Sequence, residues 1–82
     1  MANITIYSTT TCGYCKMLKS YLQSKNISYQ DKQADLDPRL GQELYEQSGQ
    51  LGVPFTIIQS DDGTETKILG FDRPKLDQVL GL

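Results

Sequence analysis

The only two cysteines, Cys12 and Cys15, sit two residues apart, and the chain has no histidine. That inventory decides how the protein can be held together. A chain of 82 residues buries only about 60–65% of its unfolded surface, so disulfides or a structural metal would help it. Neither is available. A loop closed between Cys12 and Cys15 constrains little of the unfolded chain, and two cysteines without histidine cannot build an ordinary structural zinc site. Stability must come from one apolar core, so residues 1–82 are read as a single domain. The cysteines are left for chemistry.

Their setting indicates which chemistry. The run Thr11-Cys12-Gly13-Tyr14-Cys15-Lys16 follows a predicted strand and opens a predicted helix. Unpaired N–H groups and the helix dipole place partial positive charge there, which favours a thiolate over a thiol. Two intervening residues also allow the second sulfur to attack a mixed disulfide formed on the first. The bland alternative is a pair of ordinary thiols at chance spacing. The reading adopted is a dithiol redox centre in which Cys12, at the exposed helix entrance, is the nucleophile. Cys15, one turn in and more buried, is the resolving thiol. Lys16 and Lys19 add positive potential, although Lys16 reads equally well as a solvated surface lysine.

Several function classes are excluded. Without histidine, no Cys–His or Ser–His catalytic pair and no His-ligated metal centre can form within the chain. A net charge of −2 with no basic stripe argues against nucleic-acid binding. No apolar run approaches membrane-spanning length and no charged leader precedes an apolar stretch, so the expected setting is a reducing cytoplasm. There, CxxC beside a βαβ pattern reads as catalytic. The carboxylates Asp31, Asp35, Asp37, Asp61 and Asp62 read as loop and cap residues, and Tyr7, Tyr21 and Tyr45 as core or core-edge residues.

Residues 3–7 alternate, with Ile4 and Ile6 on one face, and predict a strand. Residues 8–11 form a loop of four hydroxyl side chains, the last of which offer a helix cap. Tyr14, Met17, Leu18, Tyr21 and Leu22 mark one face of a helix from Gly13 to about Lys25, with Asn26 as a stop signal. Ile27, Tyr29 and Asp31 suggest a short second strand of weak alternation. Asp37-Pro38 starts a second helix with Leu40, Leu44 and Tyr45 as its apolar stripe and Gly49 as its end. Gly52-Val53-Pro54 breaks the chain before a third strand, Phe55 to Ile58. Asp61-Asp62-Gly63 turns it into a fourth, Thr66 to Leu69, making an antiparallel hairpin. Asp72 and Pro74 open a last helix that turns Leu76, Val79 and Leu80 inward. The order is β-α-β-α-β-β-α, an α/β fold. A parallel, right-handed first β-α-β unit and the hairpin give a four-stranded mixed sheet flanked by three helices, two on one face and one on the other. That is a thioredoxin-like arrangement.

Over almost its full length the chain resembles the glutaredoxins. Cys12-Gly13-Tyr14-Cys15 is similar to their Cys-Pro-Tyr-Cys centre, with Lys19 where many also carry a basic residue. Val53-Pro54 resembles their Thr-Val-Pro segment, whose proline is cis. Gly70-Phe71-Asp72 occupies the place of their Gly-Gly-x-Asp turn. Two departures stand out. Thr9 replaces the lysine that in many glutaredoxins helps hold a glutathione carboxylate, and Phe71 replaces the second glycine. Gly70-Phe71 followed by Arg73-Pro74 resembles the NrdH-type redoxins, which take electrons from thioredoxin reductase and feed ribonucleotide reductase. Gly13 in place of proline also occurs in mycoredoxins, which use another low-molecular-weight thiol.

The resemblance implies a thiol–disulfide oxidoreductase acting on protein disulfides or protein–thiol mixed disulfides. It needs no bound cofactor and works as a monomer. An external reductant, glutathione or another small thiol or thioredoxin reductase, regenerates it. Substrate-binding roles fall on Gly13, Tyr14, Lys16, Val53, Pro54, Gly70, Phe71 and Asp72. Gly13 permits close backbone approach, and Tyr14 is either an aromatic wall for a peptide-like substrate or an exposed aromatic without a role. Pro54 fits the first residue of a strand. A cis bond would also set its ring beside the sulfurs and let Val53 bond an extended peptide. Asp72 is a helix cap, and by resemblance part of a groove wall with Gly70 and Phe71. Two alternatives stay open: an electron donor dedicated to ribonucleotide reductase, and an iron–sulfur carrier holding a cluster between two copies through one cysteine each.

Overall fold

The computed structural model describes residues 3–81. Seven elements follow the expected order: β1 (Asn3–Ser8), α1 (Gly13–Ser24), β2 (Gln30–Gln33), α2 (Pro38–Ser48), β3 (Phe55–Gln59), β4 (Glu65–Leu69) and α3 (Arg73–Leu80). The strands form one mixed sheet in the order β2-β1-β3-β4. β1 runs parallel to β2, with Thr5 opposite Gln30. β3 runs antiparallel to both β1 and β4, with Tyr7 opposite Phe55 and Phe55 opposite Leu69.

The alternation of the strands sorts the core onto two faces. Ile4, Ile6, Ile58 and Ile68 project to one face and are covered by Leu18 and Leu22 of α1 and Leu76 of α3. Tyr7, Phe55 and Ile57 project to the other and meet Leu44 of α2. This is the expected split of two helices against one. Burying each of the larger aliphatic side chains contributes roughly 1.5–3 kcal/mol, which explains how a chain with two free thiols stands without staples.

Local signals set the element ends. The Asp37 carboxylate accepts the Arg39 N–H at 2.9 Å and Pro38 opens α2. Gly49 closes that helix in the left-handed conformation at φ 77°. In the hairpin turn the Asp62 carboxylate accepts the Thr64 N–H at 2.9 Å, and Gly63 takes φ 89°, a conformation open to glycine at little cost.

Three expectations are corrected. The second strand starts at Gln30, not at Ile27. Among the described residues it is an edge strand bonded to β1, and its Gln-Asp-Lys-Gln sequence has no apolar face to reveal it. Ile27 and Tyr29 lie in the approach and pack on the core from outside the sheet. Tyr45 points outward at 57% exposure because Leu44 alone takes the buried line of α2. Along α1 the buried line is Cys15, Leu18 and Leu22, so Tyr14 and Met17, read as part of the inward face, are exposed beside it.

Candidate active site

The sheet register brings the candidate residues to one end of the molecule. β1 runs towards the Cys12 loop, while antiparallel β3 starts from Val53-Pro54 at that same end, as Tyr7 opposite Phe55 requires. Leu69 opposite Phe55 then delivers Gly70-Phe71-Asp72 there as well. Three chain segments far apart in sequence therefore share one edge of the fold. The Val53–Pro54 peptide bond is cis, as the resemblance implies. The Pro54 carbonyl accepts the Gly70 N–H at 2.8 Å, so two of these segments are directly bonded.

Cys12 itself is the N-cap of α1. Its backbone is extended, at φ −86° and ψ 112°, and its sulfur accepts the Cys15 N–H at 3.1 Å. The hydroxyl loop, which in sequence offers a cap, does not supply it. Instead the Thr10 hydroxyl and Thr10 N–H both turn to the Asp35 carboxylate, at 2.5 and 3.0 Å, which fixes the loop from outside the helix. A capping sulfur satisfies one orphan donor and places electron density where the helix end is electropositive. Both thiols are free; Cys12 is partly exposed and Cys15 is buried. Burial pushes the Cys15 thiol up to about 12, and hydrogen bonding with Cys12 pushes the same way. A backbone bond at Thr9 and the Lys19 charge act in the opposite direction. The two sulfurs thus have contrasting surroundings: one open at a helix tip, one sequestered and held protonated.

The remaining candidates are spread over two surface hollows and the segments beside them. Gly13 and Tyr14 are exposed beside the sulfurs and, with Met17, line one surface hollow. Nothing stands within 4 Å of where a Gly13 side chain would project, so the space above this turn is open. On the next side of α1, Lys16, Met17, Tyr21, Phe71 and Arg73 line an open groove of about 460 Å³. Phe71 lines it with its ring tilted 58° against Tyr21, centroids 6.0 Å apart. The Arg73 guanidinium lies 4.6 Å above the same tyrosine ring. Val53 is half-buried against the α2 side of the core, and Pro54 is buried. Asp72 caps α3: its carboxylate accepts the Lys75 N–H at 3.2 Å and its carbonyl the Leu76 N–H at 3.0 Å.

One polar cluster near the thiols escaped the sequence reading. The Lys19 ammonium meets Asp31 at 2.9 Å, and the other Asp31 oxygen accepts the buried Ser8 hydroxyl at 2.5 Å. Sequence alone leaves Asp31 a loop or strand carboxylate without a partner to assign; only the parallel pairing of β2 with β1 sets it beside Ser8 and Lys19. The charge of Lys19 is engaged by that carboxylate instead of being spread over the helix surface.

Comparison with known proteins agrees with this architecture. A family model described as glutaredoxin matches residues 4–61. A glutaredoxin-like 8.6 kDa protein from the rubredoxin operon of Clostridium pasteurianum is 40% identical over 94% of this chain and 96% of its own length. Glutaredoxin 3 of Escherichia coli (strain K12) is 37% identical over 73% of this chain and 72% of its own. Among solved structures, the glutaredoxin-like NrdH-redoxin of Escherichia coli superposes with a TM-score of 0.76, covering 94% of this chain and 93% of its own at 21% identity. That last likeness is one of fold.

Proposed function

Because the chain belongs to the glutaredoxin family, a family of small redox proteins with the thioredoxin fold, we propose that it is a thiol–disulfide oxidoreductase working through Cys12 and Cys15. The observation that carries this reading is the capping sulfur: Cys12 is partly exposed, accepts the Cys15 N–H at 3.1 Å and adjoins a buried second thiol. Cys12 attacks a protein disulfide or a protein–thiol mixed disulfide. Cys15 then attacks the Cys12–partner bond, releasing reduced product and leaving a Cys12–Cys15 disulfide. No bound organic group is needed; electrons come from outside, either from glutathione or another small thiol or from thioredoxin reductase.

Gly13, Tyr14, Val53 and Pro54 are assigned to the substrate face around the sulfurs. Lys16, Gly70, Phe71 and Asp72 are assigned to the groove wall, with Asp72 acting chiefly by holding the start of α3. Phe71 favours a second reading of the partner. An aromatic ring tilted against Tyr21, whose own ring lies beneath Arg73, stands where a bare Gly-Gly turn would leave backbone exposed. A groove walled by side chains suits a polypeptide better than a small thiol, as expected of an electron donor dedicated to ribonucleotide reductase. Presenting the oxidised protein separately with glutathione and with thioredoxin reductase plus NADPH tests both readings. Regeneration of thiols only by the enzyme supports the dedicated donor, and regeneration by glutathione supports the general oxidoreductase. Failure with both, and with dithiothreitol, contradicts the dithiol mechanism.

A further inference from the structure

Resolution by Cys15 raises a physical difficulty. Its sulfur is fully buried, and burial disfavours the charged form that must do the attacking. A buried anion needs a nearby counter-charge. Residues four apart on a helix are neighbours on one face, which puts Lys19 one turn beyond Cys15 on α1. The Lys19 side chain retains only 17% exposure, and its ammonium is held at 2.9 Å by Asp31. Asp31 is in turn fixed at 2.5 Å by the fully buried Ser8 hydroxyl. The cation therefore has a defined place, set by β1 and β2, where an ordinary surface lysine would sample many rotamers.

We propose that Lys19, anchored by Asp31, is a positioning residue for the resolving step, its ammonium stabilising the negative charge that the Cys15 sulfur carries as it attacks. The inference rests on the oxidoreductase reading above. In that step the Cys15 thiol gives its proton to water, and the resulting thiolate forms a bond to the Cys12 sulfur. The bond between Cys12 and the partner sulfur breaks, and the partner leaves as a thiolate that takes a proton from solvent. The protein's two thiols are oxidised to a disulfide and the partner disulfide is reduced. While the partner is attached, Cys12 has no free thiolate, so the charge facing Cys15 from its own helix is that of Lys19. Its influence on Cys15 is favourable to the anion. The groups acting on Lys19 are Asp31 from β2, Tyr29 just before it, and Cys15 itself.

The test uses the reduced full chain mixed rapidly with dithiobis-nitrobenzoate. The first release of coloured thiol reports attack by Cys12, and the second reports resolution by Cys15. Lys19→Gln should slow the second phase several-fold at neutral pH, as expected when a counter-charge near a buried thiolate is lost, and by a larger factor than it slows the first. It should also move the pH profile of the second phase upward. Lys19→Arg should recover most of the rate. Asp31→Asn keeps an oxygen for Ser8 but frees the ammonium, and should slow the second phase to a smaller extent. A second phase unaltered in Lys19→Gln, or equally slow in Lys19→Arg, overturns the role of Lys19; no slowing in Asp31→Asn overturns the anchoring. A wild-type protein that shows no first phase contradicts the oxidoreductase reading instead, so the two failures are distinct.

Discussion

The Gly70 N–H donates to the Pro54 carbonyl at 2.8 Å. This bond ties the loop entering β3 to the turn leaving β4, so the two candidate walls of the site are directly joined. Gly70 holds φ 81° to make the bond, and a side chain added there would meet nothing within 4 Å. The cost of Gly70→Ala is therefore conformational, about 1–2 kcal/mol for an L-residue held in the left-handed region. Urea unfolding should show that loss at an unchanged m-value. A neutral or stabilising substitution would show that the turn relaxes without the glycine.

The reduced protein should lose stability as pH rises from about 9 towards 12. The Cys15 thiol ionises near 9 when the chain is unfolded but is held protonated up to about 12 by burial in the fold. In that window the unfolded state binds fewer protons, so stability falls with pH. Below it the effect vanishes. Tyr7, raised from its usual 10 by burial and by Glu43, adds a loss of the same sign. The Cys15 share is thus the difference in slope between wild type and Cys15→Ser, read by thermal unfolding with reductant present. Parallel slopes would contradict the protonated, buried thiol.

Much of this arrangement is legible in residue order because the relevant signals are local. The β1 alternation, Asp37-Pro38, the Asp61-Asp62-Gly63 turn and the CxxC run each act within a few residues, and each appears in the fold where expected. What escaped depends on pairing across the sheet. β2 is polar and its boundary is set by hydrogen bonding to β1, not by its own pattern. Asp31 gains its meaning only from facing Ser8 and Lys19. Tyr14 and Met17 share helical periodicity with Leu18 and Leu22, yet the sheet covers only the Cys15–Leu18–Leu22 line, and periodicity alone does not say how wide the covered stripe is. The cap of α1 is hidden in sequence for a similar reason: Thr10 is a good capping residue by type, but Asp35, distant in sequence, takes its hydroxyl.

That last contact predicts a local effect. Asp35→Ala removes the acceptor of both the Thr10 N–H and its hydroxyl on the loop that leads into Cys12. Amide exchange at Thr10 should accelerate while the midpoint of global unfolding changes little. Unchanged protection at Thr10 would show that the loop is fixed by other contacts.

In the core, Leu22→Ala should cost about 2–5 kcal/mol, because Leu22 is fully buried where α1 meets Ile4, Ile6 and Ile58. The same truncation at exposed Met17 should fall within about 0.5 kcal/mol of wild type. Paired denaturation curves check the contrast, and similar costs at the two sites would place the α1 face incorrectly.

The division of labour between the two sulfurs is tested most directly by trapping. Each single variant, Cys12→Ser and Cys15→Ser, is exposed to glutathione disulfide and examined by intact-mass and peptide mass spectrometry. Cys15→Ser should accumulate one stable adduct, located on Cys12, and Cys12→Ser should remain essentially unmodified over the same time. An adduct that forms readily on Cys15 when Cys12 is absent, or none on Cys12 when Cys15 is absent, would contradict the assignment of Cys12 as the attacking thiol.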